Sequence, residues 1–191
     1  MKNKDRPTIG FLIPNLLGEY YEIQSFSVNQ SAVEADANLI IFSPFIFLTN
    51  ISNKKEFIKT FEFAGKENVD GIIISSGAMR GYFDIEELKS LCTFFTEIPV
   101  VSLSELFEEI PSVLIDNKQG MLELIEHFVR DHGYRKIAFI RGTKSNREAE
   151  LRFSAYKEIL EEYDIPFDKT LIFQGDFGFH SGQKAVYELL D

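Results

Sequence analysis

The chain has 191 residues, of which 45% are hydrophobic and 26% are charged, with 30 acidic and 20 basic side chains and a formal net charge of −10. This length and apolar fraction can bury a core in one domain or two small ones, which excludes a disordered chain. The acidic balance without a long block of like charge argues against a surface that follows nucleic-acid phosphates, so we expect this domain itself to make no nucleic-acid contact.

The amino-terminal apolar run is short. It covers residues 9–13 and stops at Pro14. A secretory signal needs about 7–15 apolar residues and a membrane span about 20. We therefore predict neither, and expect a cytoplasmic protein without a membrane partner.

Short β-branched runs alternate with longer amphipathic runs along the whole chain. Strands are predicted at 8–13, 38–42, 70–75, 98–103, 112–115, 136–140 and 170–174. Helices are predicted near 19–35, 54–67, 84–95, 117–132, 146–163 and 179–190. Several of the strands are apolar on both faces, as in a parallel sheet with helices on both sides. The alternation predicts a doubly wound, Rossmann-like α/β fold.

Asp116 and Asn117 stand where the fifth predicted strand gives way to a helical pattern. Either side chain can cap a helix by accepting a hydrogen bond from the unpaired amides of its first turn. The chain contains no internal repeat, low-complexity tract or long linker. This junction is therefore the one candidate for a domain boundary.

Motifs of catalysis and metal binding are missing from the sequence. The segment 141–145 fails as a phosphate loop because Thr143 breaks the Gly-Lys-Ser/Thr order. No histidine has a second His or Cys at a ligand spacing; the three are His127, His132 and His180. The single cysteine, Cys92, lies among apolar neighbours and is expected to be a buried thiol. We predict no metal, no cofactor and no catalytic residue.

Polar and aromatic residues gather just past the carboxyl ends of the predicted strands, where open α/β sheets bind ligands. The candidate ligand-binding residues are Asn15, Tyr20, Tyr21, Ser75, Ser76, Ser104, Asp116, Asn117, Asp176 and Phe177. Arg152 joins them, because it lies about 60° from the centre of the apolar stripe of its helix. From there its guanidinium can fork onto hydroxyls or a carboxylate, or alternatively form a salt bridge while its stem covers apolar surface.

Seven segments carry a family resemblance: "IGFLIPN", "NVDGIIIS", "IPVVSLSE", "IPSVLIDNKQGMLELIEHFV", "HGYRKIAFIRG", "REAELRFSAYKEIL" and "QGDF" with "SGQKAVYELL". In this order they resemble the ligand-binding domain of the lactose and galactose (LacI/GalR) repressor family, which has the type I periplasmic-binding-protein-like fold. The resemblance covers nearly the whole chain. It implies an N-terminal lobe at 1–116, a C-terminal lobe at 117–191, and a small-molecule, sugar-like effector between them. It also implies that Arg152 contacts sugar hydroxyls and that Asp176 lies on the facing rim.

The sequence departs from the family pattern in two ways. Only seven residues precede the first strand, where family repressors carry a DNA-binding head, and "LGEYY" and Ser104 replace residues that are usual near the ligand. The start resembles sensor domains whose output module, a kinase, cyclase or DNA-binding domain, follows. Residues 117–191 supply about half of a family lobe, so we expect them to be part of a longer protein. We also expect the exposed surface of the incomplete lobe to be covered by a second copy, as in a homodimer, or by another chain.

Three functional hypotheses follow from the sequence. The first is a non-catalytic sensor domain of a transcription regulator or signalling protein, in which ligand binding closes two lobes. The second is a doubly wound enzyme that uses Asp116 or Asp176 as acid or base, although no paired nucleophile or metal is found. The third is a dimerisation or docking module, which would leave the candidate residues without a role.

Overall fold

The computed structural model describes residues 6–44, 54–95 and 97–190, apart from the side chains of residues 56 and 57. The chain divides into two compact units, Met1–Leu114 and Ile115–Asp191. The sequence prediction ended the first lobe at Asp116.

The first unit is built on a parallel sheet of five strands. They are β1 (Thr8–Leu12), β2 (Asn38–Phe42), β3 (Gly71–Ile74), β4 (Val100–Leu103) and β5 (Ser112–Val113). Their order in the sheet is β2-β1-β3-β4-β5. The chain moves from β1 to one side and then returns to the other, so the strand order reverses between β1 and β3. Ligands bind doubly wound sheets beyond the carboxyl ends of the strands at such a reversal.

Within the described residues of this unit, the helices are α1 (Glu19–Glu34), α2 (Lys54–Glu62), α3 (Ser76–Met79) and α4 (Ile85–Phe94). A capping box starts α4, where the Asp84 side chain accepts from the Glu87 amide and the Glu87 side chain accepts from the Asp84 amide. The predicted helix 54–67 ends early, at Glu62. It ends because the chain turns to bury Ala64 and Val69 in the core, with the Asn68 amide donating to the Gly65 carbonyl at 2.8 Å.

The core of the first unit includes residues of β1 and β3 and of the helices and loops around them. Its fully or almost fully buried members are Leu12, Phe61, Ala64, Val69, Ile72, Ile74, Met79, Phe83, Leu88, Cys92, Phe95, Ile98 and Phe107. The prediction of a buried thiol is confirmed, since Cys92 is 3% exposed. Burial raises the pKa of the Cys92 thiol to about 11, although a hydrogen bond with Ser76 acts in the opposite direction.

The second unit has a sheet of two parallel strands, β6 (Phe139–Arg141) and β7 (Ile172–Gln174). Its helices are α5 (Asn117–Arg130), α6 (Arg147–Glu162) and α7 (Phe179–Leu190), with a 3-10 turn at Lys169–Leu171. Both strands are shorter than predicted. The two strands pair over three residues each. Before β7, the Asp168 side chain accepts from the Thr170 amide at 2.8 Å, and this hydrogen bond stabilises a 3-10 turn where the sequence had predicted the start of the strand.

The core of the second unit confirms the apolar stripe predicted for α6, since Ala149, Phe153, Tyr156 and Leu160 are each at most 8% exposed. The Tyr156 hydroxyl donates to the Ile137 carbonyl at 2.9 Å, which satisfies its polar atom inside the core. The two units confirm the α/β class with parallel strands and flanking helices. Across the described residues, no helix combines the length and apolar character that a bilayer crossing requires.

Candidate functional site

Asn15 organises the loop that leaves the carboxyl end of β1. Its side-chain oxygen accepts from the amides of Leu16 at 2.8 Å and Leu17 at 3.1 Å, which forms an Asx turn leading toward α1. The side chain is half-buried. These contacts fix the conformation of the loop between β1 and α1.

Gln24 connects two of the predicted residues and had not itself been predicted. The buried Ser75 hydroxyl, at the end of β3, donates to the Gln24 side-chain oxygen at 2.7 Å. The Gln24 amide then donates to the Tyr20 hydroxyl at 2.9 Å. The one sequence signal for Gln24 is its position one helical turn after Tyr20, so that both side chains share a face of α1.

Tyr20 and Tyr21 have different surroundings although they are neighbours on α1. Tyr20 is 47% exposed, whereas Tyr21 is half-buried and its ring stands edge-on to that of Tyr20 with centroids 5.7 Å apart. Burial raises the pKa of Tyr21 to about 12, and the charge and hydrogen bond of Tyr82 act in the same direction. Tyr20 therefore presents the accessible aromatic face, and Tyr21 is part of the support beneath it.

Ser76 and Ser104 lie below the surface. Ser76 is fully buried, and its hydroxyl is 3.0 Å from that of Ser102, which donates to the Glu105 carbonyl at 2.7 Å. Ser104 is 7% exposed and has a left-handed backbone with φ of 64°. A Cβ at Gly77 would stand 2.5 Å from the Cβ of Ser104, so this close approach of α3 to the loop after β4 requires glycine.

A buried ion pair holds the loop after β4, and the sequence reading missed both of its members. Arg80 Nε lies 3.4 Å from Glu105 Oε2, and the two side chains are 14% and 6% exposed. Arg80 also donates to the Phe83 carbonyl at 3.3 Å. Glu105 directly follows Ser104 in the chain, but nothing local marks it as buried.

In the second unit, Asp116 caps α5 as predicted, since its side chain accepts from the Gln119 amide at 3.0 Å. Asn117 is the first residue of the helix, and its side-chain amide donates to the Ile115 carbonyl at 3.3 Å. The Asn117 side-chain oxygen accepts from Nη1 of Arg152, which reaches it from α6. The structure thus brings two of the predicted residues into direct contact.

Arg152 lies on the shoulder of α6, as the helical-wheel argument predicted. It is half-buried, whereas Arg147 on the same helix is exposed. Its partner is the neutral amide of Asn117, so this contact orients the guanidinium without neutralising its charge. An oriented cation with donors to spare suits the planar recognition of hydroxyls or a carboxylate.

Asp176 and Phe177 follow β7 and form a turn into α7. Asp176 Oδ1 accepts from the Gly178 amide at 2.8 Å, and hydrogen bonds from Ser181 and from that amide lower the pKa of Asp176. The carboxylate is therefore ionised at neutral pH, and it is exposed. Phe177 has a left-handed φ of 66° and is 60% exposed, with its ring over Gly142, where a Cβ would collide with it.

Arg152 and Phe177 share a concave surface of about 630 Å³ within the second unit. Its lining comes from α5, β6, α6 and α7 and from the turn before α7, and it includes Met121, Leu124, Phe128, Ile140, Gly142, Gly175 and Ser181. A second concavity of about 490 Å³ lies between α2 and α4 in the first unit and contains none of the predicted ligand residues. In the part of the chain that the structure describes, no three His, Cys, Asp or Glu side chains come together as a metal cluster.

A family model described as periplasmic binding proteins and the sugar-binding domain of the LacI family matches residues 6–191. Catabolite control protein A of Priestia megaterium is 29% identical over 194 residues, which covers 100% of this chain and 54% of that protein. The transcriptional regulator DegA of Bacillus subtilis is 28% identical over 96% of this chain and 52% of its own length. The chain therefore spans about half the length of these relatives.

Solved structures show the same fold. The transcription regulator CcpA of Lactococcus lactis superposes with a TM-score of 0.74 at 27% identity, covering 97% of this chain and 64% of that chain. The lac repressor dimer bound to operator superposes with a TM-score of 0.75 at 18% identity, covering 98% of this chain and 62% of that chain. The type I periplasmic-binding-protein-like fold implied by the sequence resemblance is confirmed.

Proposed function

The chain belongs to the family of periplasmic binding proteins and LacI-type sugar-binding domains, and from this membership we propose that it is the effector-binding domain of a transcription regulator. The effector is a small, sugar-like molecule. The observation that carries the proposal is the contact between Arg152 and Asn117, because it pre-orients a cationic donor on a concave surface whose lining includes Gly142 and Gly175, the residues that directly follow β6 and β7.

The chemistry of the proposed binding residues supports a polyhydroxylated ligand. The Arg152 guanidinium supplies donors, and the ionised Asp176 carboxylate supplies acceptors, which are the groups that vicinal hydroxyls need. The exposed rings of Phe177 and Tyr20 offer flat apolar faces for the C–H side of a sugar. The proposed binding residues therefore include Tyr20 in the first unit and Arg152 in the second.

We propose that the chain is not an enzyme. The named relatives are regulators, and the contacts that the structure describes for Asp116 and Asp176 are those of a helix cap and of a turn into α7. Asp116 is engaged as a helix cap and Asp176 as a turn residue, so each already has a structural role. A regulator acts where the chromosome is, and the proposal therefore places the protein in the cytoplasm.

A homodimer is the assembly state that we propose. The matched lac repressor structure is described as a dimer. Light scattering on the purified chain across a tenfold concentration range would measure the assembly state directly. Closure of two lobes on the effector stays a prediction, and a smaller radius of gyration with effector in small-angle X-ray scattering is the expected sign.

A thermal-shift screen followed by calorimetry tests the function. The wild-type chain, Arg152→Ala and the matched control Arg147→Ala are screened against sugars, nucleosides and small organic acids. We expect one sugar-like compound to stabilise wild type and Arg147→Ala, but not Arg152→Ala, and to be recovered unchanged. Chemical turnover would support the enzyme hypothesis, and no stabilisation by any compound would support a docking module.

A further inference from the structure

Two imidazole rings meet at the carboxyl end of α5. His127 lies in the last turn of the helix, and His132 follows just after the helix ends at Arg130. Their Nε2 atoms are 3.0 Å apart, and the rings stand nearly perpendicular with centroids 4.7 Å apart. Neither residue belongs to the proposed effector site.

Asp131 determines where the proton of His127 resides. Its Oδ2 lies 2.7 Å from His127 Nδ1, and a carboxylate accepts hydrogen bonds, so Nδ1 carries the hydrogen. In neutral His127 the lone pair is then on Nε2 and points toward His132. Without a metal ion, His132 Nε2–H donates to this lone pair at 3.0 Å. A metal ion can replace that hydrogen when the proton of His132 moves to Nδ1, because both Nε2 atoms then offer a lone pair.

The spacing of the two nitrogens matches a chelated metal ion. Metal–imidazole bonds are about 2.0–2.1 Å long, so two such ligands lie about 2.9 Å apart at a right angle and about 3.3 Å apart at the tetrahedral angle. The observed separation is 3.0 Å. We propose that His127 and His132 together bind a divalent transition-metal ion of the Zn²⁺ or Ni²⁺ class, with water completing the coordination.

The surroundings favour a cation at this point. The carboxyl end of a helix carries partial negative charge, and the Asp131 carboxylate stands behind His127 in the arrangement that orients metal-ligating histidines. Arg130 binds Asp131 through the other oxygen, Oδ1, at 3.0 Å, so Oδ2 stays on His127. Glu126 pairs with Arg130 at 3.0 Å, so two carboxylates outnumber one guanidinium.

The chain is shaped to bring His132 back onto the helix. Residues five apart on a continuous helix point about 140° away from each other, which is why the spacing in the sequence excluded this pair. The helix ends at Arg130, and Gly133 has a left-handed φ of 70°. The His132 ring stacks on Tyr134 with centroids 5.3 Å apart. Both histidines are exposed, so ion and water can reach them.

Calorimetric titration with ZnCl₂ and NiCl₂ tests the site on the 191-residue chain, prepared without a polyhistidine tag and stripped with a chelator. Wild type is expected to bind one ion per chain. His127→Gln and His132→Gln should each weaken binding by more than about tenfold, and Asp131→Asn by about tenfold, as loss of an outer-shell carboxylate does. His180→Gln, an exposed histidine on α7, is the matched control and should bind like wild type.

A second measurement does not depend on any variant. Saturating Ni²⁺ should protect His127 and His132 of wild type from carbethoxylation, read by mass spectrometry, and leave His180 reactive.

Equal affinity in wild type and the His127→Gln, His132→Gln double variant would overturn the proposal. So would equal loss in His180→Gln, or uniform reactivity of all three histidines with and without the ion.

Discussion

The guanidinium of Arg152 donates to the side-chain oxygen of Asn117, a residue 35 positions earlier in the chain. The contact ties α6 to the first turn of α5. Asn117 is itself held by its bond to the Ile115 carbonyl, so the arginine is oriented by a residue that is anchored to the backbone. A side chain already held in position loses less conformational entropy when it binds a ligand.

Arg152→Ala should weaken effector binding by about 2–5 kcal/mol, which is the usual cost of losing a desolvated charged contact. The unfolding free energy should change by less than about 1 kcal/mol, because the side chain is half-buried and its partner is neutral. Calorimetry and urea denaturation provide the two numbers. Arg147→Ala on the exposed face of the same helix should change neither, and wild-type affinity in Arg152→Ala would remove this residue from the site.

Tyr20→Ala and Tyr21→Ala should separate binding from stability. Tyr20 presents an exposed ring, so its loss should weaken effector binding by about 1 kcal/mol or more with little effect on unfolding. Tyr21 is half-buried and hydrogen-bonded to Tyr82, so its loss should lower the unfolding free energy by about 2–3 kcal/mol. Small and equal effects of both changes would contradict the assignment of the two rings.

Glu105→Ala should destabilise the first unit by about 3–5 kcal/mol, because it leaves the Arg80 charge buried without its carboxylate. Glu108 is exposed a few residues later, and Glu108→Ala should stay within about 0.5 kcal/mol of wild type. Denaturation of the two variants side by side measures the difference. If the two variants lose the same stability, the ion pair contributes nothing of its own.

Cys92 should react with a thiol reagent only as fast as the protein opens. The thiol is 3% exposed and its pKa is raised to about 11, so few molecules carry a thiolate at pH 8. Because the folded pKa lies above the ordinary value of 9.0, this group's contribution to stability is complete below pH 9 and falls as the pH rises toward 11. Labelling without denaturant at the rate of free cysteine would contradict the burial.

The sequence by itself determined the alternation of strands and helices, the buried stripe of α6, the cap at Asp116 and the family to which the chain belongs. These features depend on residues that are close in sequence: hydrophobic periodicity selects the element, and a carboxylate before a helical run satisfies the free amides of its first turn. Several helix and strand ends differ from the sequence prediction. Packing between elements sets these ends. The helix α2 stops at Glu62 because the chain turns to bury Ala64, and β6 and β7 pair over three residues each.

Only the tertiary structure decided which side chains meet. Gln24 reaches Ser75 across 51 positions, and no local pattern announces that pairing. The ion pair of Arg80 with Glu105 depends on α3 packing against the loop after β4, and the approach of His127 to His132 depends on where α5 stops. Periodicity reports which face of an element is buried, but a hydrogen bond or ion pair depends on directions and distances between elements, which arise only when the elements pack.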